Sequence, residues 1–140
     1  MKIYLASYFN TRARLLPIRD AIAVMGHRVV STWLDEGPEP NEGKNVLPEE
    51  ERYGLYALRD YQEIKDCDLL IADTFDVTER GGREVELGYA LGKMKQVWVV
   101  GPRRNVFHFT VRHFETWENA LKELSTMVGS YASIYSHPDP

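Results

Sequence analysis

The run Asp68-Leu69-Leu70-Ile71-Ala72-Asp73 limits the folds open to this chain more than any other stretch. Its middle is apolar at every position, without the alternation of a sheet that has one wet face, so it reads as a strand covered on both sides. Such a strand belongs at the centre of a parallel sheet, and parallel neighbours require crossover connections, usually helical. The rest of the chain supplies them. Lys2-Ile3-Tyr4-Leu5-Ala6 is a short buried strand, followed by Leu15, Ile18, Ala21, Ile22 and Met25 at helical spacing behind a cap at Asn10 or Thr11. Gly26 ends that helix, and His27 sits where the helix end favours positive charge. Residues 28–33 read as the second strand and 35–48, rich in Gly, Pro, Asn and Glu, as a loop. A helix over 48–65, with Pro48 in its first turn, leads to the central strand. A turn over 75–82, a helix over 83–93 and a strand over 96–100, stopped by Gly101-Pro102, come next. An extended piece at 111–114 and a helix over 117–127 close the pattern.

Strands alternating with helices predict an α/β domain, a flavodoxin-like three-layer sandwich on a parallel five-stranded sheet in the order 2-1-3-4-5. Residues 1–128 make up the domain, and 129–140 are a polar tail expected to be partly disordered or used between copies. Across 140 residues, 44% apolar and 27% charged, the balance is that of a globular protein. A formal charge of -4 argues against a nucleic-acid coat, although one local cationic pocket remains compatible with it. The single cysteine, Cys67, excludes an internal disulfide and reads as a packing thiol, which fits a reducing cytosol. The chain starts directly on a strand, and no apolar run approaches the roughly 20 residues of a membrane span. A cytoplasmic protein is expected, with no partner among membranes or nucleic acids.

Ligands in such sheets bind beyond the carboxyl ends of the strands, at the switch between strands one and three. That rule gathers residues 7–14, the loop after Trp33 and residues 74–86 around one pocket. Within it, Gly81-Gly82 allows a tight turn into a helix, with Gly82 letting a ligand approach the backbone. Glu84 and Glu86 follow, two apart and therefore on different helix faces. One faces the pocket and the other faces solvent or a partner.

Three separated motifs carry a resemblance. Val85-Glu86-Leu87-Gly88-Tyr89-Ala90-Leu91-Gly92-Lys93, Ile3-Tyr4-Leu5-Ala6-Ser7, and Arg59-Asp60-Tyr61-Gln62-Glu63-Ile64 with Cys67-Asp68 occur in their expected places. Together they resemble the nucleoside 2-deoxyribosyltransferase-like family, which includes nucleoside 5′-monophosphate N-glycosidases, over residues 2–125. The resemblance implies that Glu86 is a nucleophile, that Tyr4 hydrogen-bonds it, and that Asp60 is the second acid. The chemistry agrees with two carboxyl groups. Breaking a C1′–N bond develops positive charge on the sugar, so one carboxylate attacks C1′ and the other manages protons. Glu86 is expected to be kept ionised by the helix amino end and the Tyr4 hydroxyl, and Asp60 to be raised by burial. Without the resemblance, Asp60 reads equally as an exposed helix residue paired with Arg59.

The same resemblance bears on substrate. Six positions before Glu86, the transferases carry a carboxylate and the monophosphate hydrolases tend to have serine, whereas this chain has Arg80. Glu84 stands where those hydrolases often place a glycine. Arg80, Arg83, Arg12 and Arg14 with the Ser7 hydroxyl have the chemistry to hold a phosphate, though each arginine alone also reads as a solvated charge. A nucleoside 5′-monophosphate is the expected substrate. Base exchange by a transferase and a non-catalytic nucleotide sensor are the alternatives. Trp33 is either a base-stacking face or core, and Tyr8 and Phe9 are similar cases. Asn105 lies after strand four, in a segment (103–108) that family members lend to a neighbouring subunit. A homodimer or larger homo-oligomer is expected through that segment and the apolar helix around Val85, Leu87, Tyr89, Ala90 and Leu91. His108 and His113 lack a third ligand at metal spacing, and no phosphate loop or dinucleotide fingerprint occurs, so no metal or cofactor is expected. A phosphoacceptor receiver is excluded, because Asp73 has no acidic pair at Ala6-Ser7-Tyr8 to accompany it.

Overall fold

A computed structural model describes residues 1–36, 48–77 and 79–136. Its strands are β1 (Lys2–Ala6), β2 (Arg28–Val29), β3 (Leu69–Asp73), β4 (Gln96–Val100) and β5 (Arg112–Phe114). The helices are α1 (Arg12–Val24), α2 (Glu49–Asp66), α3 (Gly82–Gly92) and α4 (Trp117–Ser136). All neighbouring strands are parallel, and the sheet runs β2-β1-β3-β4-β5, the order expected from the sequence. β3 is buried along its whole length, with Tyr4 opposite Leu70 on one side and Val97 opposite Leu70 on the other. Helices α2 and α3 pack together over one sheet face, while α1 and α4 pair on the other. Ile3, Leu5, Leu69, Ile71 and Val99 are fully or almost fully enclosed between these layers. Each such side chain contributes about 1.5–3 kcal/mol relative to exposure. Cys67 is a buried thiol at the mouth of β3, pushed up to about 11 by burial, as suits packing.

The local differences from expectation have identifiable causes. The second strand stops at Val29 instead of reaching Trp33, and Thr32–Asp35 forms a 3-10 turn. Side chains take over where the ladder ends. Ser31 Oγ accepts the Leu5 N–H at 3.0 Å, and Trp33 Nε1 donates to the Leu5 carbonyl at 2.8 Å. Thr11 stands at the α1 cap position, but its hydroxyl donates to the Tyr8 carbonyl at 2.6 Å and caps nothing. Pro48 is itself the cap of α2, and Glu49, Glu50 and Glu51 in the first turn suit the helix dipole. His27 is buried and lowered below its ordinary value, chiefly by that burial, so it brings no charge to the end of α1. Its Nε2 lies 3.1 Å from the Leu124 carbonyl, tying that end to α4. The last helix continues past Met127 to Ser136, since a single glycine such as Gly129 costs a helix only about 1 kcal/mol.

Gly101, at the end of β4, has φ +115, and an added Cβ would meet Thr74 Oγ1 at 2.7 Å. The close approach lets the Thr74 hydroxyl donate to the Pro102 carbonyl at 2.6 Å and fastens two strand ends together. No helix among the described residues is long and apolar enough to cross a membrane.

Candidate active site

Tyr4 lies in the buried middle of β1, on the face covered by α2 and α3. Its hydroxyl donates to Glu86 Oε2, on the second turn of α3. Asp60, from α2, is close enough to both to raise their pKa values electrostatically. The sheet and two helices thus bring together the three residues expected to act, from positions 4, 60 and 86 of the chain.

Burial dominates the electrostatics. It pushes the Tyr4 hydroxyl well up, reinforced by Glu86 and then Asp60, so tyrosine keeps its proton and is a fixed donor. Burial likewise raises Asp60 to about 6 against the pull of Arg59, in the direction expected. Glu86 differs from expectation. Its carboxyl is pushed up to about 8, because burial and the nearby Asp60 outweigh the Tyr4 hydrogen bond and Arg59. Glu86 is also the fifth residue of α3, beyond the first turn where a helix dipole is strongest. Two enclosed carboxyl groups in one site behave as a coupled pair holding one proton between them near neutrality.

Arg59 stands over this pair. Its Nε and Nη2 donate to Asp60 Oδ1 at 3.3 and 3.1 Å, its Nη1 forms an ion pair with Glu36, and its guanidinium lies 5.3 Å from the centroid of the Tyr56 ring. Glu63 is occupied elsewhere, accepting from the Thr32 backbone N–H at 3.1 Å and its hydroxyl at 2.6 Å.

The first loop follows β1 directly. Ser7 Oγ and Thr11 Oγ1 are 2.8 Å apart, and the Tyr8 hydroxyl accepts from Asn10 Nδ2 at 2.9 Å. Trp33 is buried against the core with its indole N–H held by Leu5, which favours the core reading over the base-stacking one. Phe9 covers it at 6.2 Å between ring centroids and is itself 43% exposed, the better-placed aromatic surface of the two. Arg12 lies over Phe9 at 5.0 Å, and its Nη1 is buried without a hydrogen-bond partner.

Two of the four arginines considered for a phosphate serve the scaffold. Arg14 grips both oxygens of buried Asp73 at 2.8 and 2.9 Å and also Asp76 at 2.8 Å. These carboxylates raise it above its ordinary value. Arg83 is buried and donates to the Asp73 and Asp76 carbonyls at 3.3 and 3.1 Å, so it supports the β3–α3 loop from beneath. Arg80 lies on the exposed part of that loop, and Gly82 is the exposed first residue of α3. Neither Gly81 nor Gly82 has positive φ, and the space beside each is open. Asn105 caps the 3-10 turn Val106–Thr110 by accepting the Phe107 N–H at 2.9 Å, away from Glu86.

Residues that sequence reasoning left without a role hold the rim. Asp73 also accepts from Trp117 Nε1 at 2.6 Å and from the Phe75 N–H at 3.2 Å. Buried His108 takes the Arg104 backbone N–H on Nδ1 at 2.9 Å, which leaves its proton on Nε2, pointed at the Glu84 carboxylate 2.9 Å away. Burial opposes ionisation of Glu84, but the His108 and Asn105 hydrogen bonds overcome it and hold that carboxyl low. Glu84 therefore faces away from Glu86, as their spacing requires, and latches α3 to the segment after β4. Arg104 adds hydrogen bonds to the Thr74 and Phe75 carbonyls at 3.0 and 3.1 Å.

Solved structures share this parallel 2-1-3-4-5 architecture over most of the chain. The 2-deoxyribosyltransferase of Bacillus psychrosaccharolyticus matches with a TM-score of 0.68 and 24% identity, covering 86% of this chain and 90% of that one. The CMP N-glycosidase of Clostridium botulinum matches at 0.56 and 19%, covering 90% and 99%. A conserved protein from Enterococcus faecalis V583 matches at 0.67 and 17%, covering 91% and 98%. No family model matches the sequence, and no curated protein matches it. The chain has the fold of the nucleoside 2-deoxyribosyltransferase-like proteins.

Proposed function

We propose that this protein is an N-glycosidase that cleaves the base–sugar bond of a nucleoside 5′-monophosphate, with Glu86 as nucleophile. The observation that carries the reading is the Tyr4 hydroxyl aimed at the Glu86 carboxyl, with Asp60 as a second, burial-raised acid beside it. The reacting form is the minor one of the pair, with the shared proton on Asp60 and Glu86 ionised: in the first step Glu86 forms a bond to C1′ as the C1′–N bond breaks. The bonding pair leaves with the base, which takes the proton of Asp60. In the second step water adds to C1′ and gives its proton to the Asp60 carboxylate, and the C1′–Glu86 bond breaks, restoring both groups. The Tyr4 hydroxyl holds the Glu86 oxygen in place and stabilises the carboxylate each time it is released.

The phosphate part of the reading rests on Arg12. A buried guanidinium nitrogen without a partner costs about 1–3 kcal/mol, and an anion beside the Ser7–Thr11 loop would relieve it. Arg80 on the exposed loop is the second candidate. The engagement of Arg14 and Arg83 inside the protein favours a second reading, a 2-deoxyribosyltransferase that exchanges bases on unphosphorylated nucleosides. In that case an incoming base replaces water in the second step. The active form is proposed to be a homodimer joined through the exposed apolar residues Val85, Val106, Phe107 and Phe109.

The test is a panel of nucleosides and their 5′-monophosphates, with and without an acceptor base, analysed by chromatography. Free base from monophosphates supports the glycosidase, and exchange that depends on acceptor supports the transferase. Absence of both reactions across the panel would overturn the reading in favour of a nucleotide-binding module.

A further inference from the structure

Asp60 shares its cation. Arg59 offers a planar fork that matches a carboxylate through two parallel bonds to two oxygens. Here both of its contacts with Asp60 go to the single oxygen Oδ1, from Nε at 3.3 Å and Nη2 at 3.1 Å. The remaining nitrogen, Nη1, is taken by Glu36, and the Tyr56 ring at 5.3 Å holds the plane of the group. Glu36 comes directly after the 3-10 turn Thr32–Asp35 and meets Arg59 on α2. The three side chains are all partly enclosed, at 25% exposure for Glu36, 31% for Arg59 and 21% for Asp60.

We propose that Glu36 is a positioning residue for Asp60: by occupying one edge of the Arg59 guanidinium, it denies Asp60 the two-oxygen clamp and keeps Asp60 able to carry a proton. The role follows from what a departing base needs. An acid clamped by an arginine fork stays ionised and has no proton to give, whereas a buried acid with no cation nearby holds its proton too tightly to give it readily to the departing base. A shared arginine sits between these limits. The inference rests on the glycosidase reading for its purpose, but the sharing itself is a property of three side chains.

The groups facing Asp60 come from four elements. Arg59 and Glu63 lie on its own helix, Glu36 follows the 3-10 turn, Tyr4 comes from β1 and Glu86 from α3. Glu36 and Glu63 both raise Asp60, and Arg59 opposes them. Removing the Glu36 charge therefore acts twice in one direction, through lost repulsion and through a freed guanidinium.

The experiment is a carbon-13 NMR titration of the Asp60 carboxyl in the unmutated protein, Glu36→Gln and Glu36→Asp, assigned with Asp60→Asn and paired with pH profiles of base release. Glu36→Gln is expected to move the Asp60 midpoint down by about one pH unit, on the scale of a gained charge-assisted contact. Each unit is a tenfold loss of the form with Asp60 protonated and Glu86 ionised, so kcat should fall about tenfold on its plateau. Glu36→Asp, which keeps the charge, should restore most of both. An unmoved Asp60 midpoint in Glu36→Gln overturns the proposal even where base release is intact. A moved midpoint with no base release from the unmutated protein leaves the sharing standing and removes the glycosidase reading instead.

Discussion

The Tyr4 hydroxyl donates its hydrogen bond to the Glu86 carboxyl across 82 positions of chain, joining β1 to α3 inside the fold. Because burial fixes the proton on tyrosine, this contact has one direction only, and it lowers the Glu86 pKa against the larger effect of enclosure. Glu86→Ala is expected to reduce base release by about three orders of magnitude or more, the scale on which a lost nucleophile is felt. Circular dichroism should stay native. Near-normal turnover in this variant would end the proposed mechanism.

Tyr4→Phe separates holding from attack. Losing a bond that favours the charged form leaves Glu86 higher than about 8, so the limb of the pH profile that reports its ionisation should move to more alkaline pH. Activity should drop about 100–1000-fold at neutral pH, by analogy with removal of one stabilising donor. A profile that keeps its shape and position would show that the hydroxyl does not act on Glu86.

The carboxyl pair also makes a statement about stability. Asp60 is raised from 3.8 to about 6 and Glu86 from 4.5 to about 8, so the folded chain binds these protons more tightly than the unfolded one. Their contribution is full below the unfolded values and is lost as pH rises, through about 6 for Asp60 and about 8 for Glu86. The melting temperature should fall across that window, and Glu86→Gln should flatten the fall. Differential scanning fluorimetry from pH 5 to about 8.5 covers the range in which the slope is expected. A Glu86→Gln profile as steep as that of the unmutated protein would contradict the assignment.

Arg12 and Arg14 stand two residues apart and should fail differently. Arg12→Ala is expected to raise KM for a monophosphate about tenfold or more, with little effect on the matching nucleoside or on melting. Arg80→Ala should act in the same direction if the exposed loop also reaches the phosphate. Arg14→Ala leaves buried Asp73 without its bidentate partner and should cost about 1–3 kcal/mol. That is less than a fully enclosed pair would cost, since Arg14 is 41% exposed and partly screened. Equal KM effects on nucleoside and monophosphate in Arg12→Ala would rule out the phosphate role.

Much of this architecture was readable from local pattern. An apolar run such as 69–72 announces a central strand by itself, and the glycines and prolines around it mark where helices stop. Tyr4, Asp60 and Glu86 were also readable, because each lies within a recognisable stretch. The scaffold around them was not. Arg14 meets Asp73 across 59 positions and Glu84 meets His108 across 24, and no spacing rule joins such pairs before the chain is folded. Four arginines therefore looked equivalent in sequence, although two of them, Arg14 and Arg83, are bound to the scaffold. The Tyr4–Glu86 contact was expected from the sequence but the charge preference of Glu86 was not, since enclosure depends on α2 and α3 meeting. The shortened second strand escaped for a similar reason, because side chains at Ser31 and Trp33 satisfy Leu5 where backbone pairing was expected.

Those two side chains have an effect well away from the carboxyl pair. β2 spans two residues, so the upper half of β1 would otherwise present raw backbone at the margin of the sheet. An unpaired margin of that kind is a template on which another chain can lay down a strand. Leu5 offers no such template, because its N–H is taken by a hydroxyl and its carbonyl by an indole. The sheet is therefore sealed against growth at the side nearest the reacting groups, and strand-by-strand polymerisation has no starting point there.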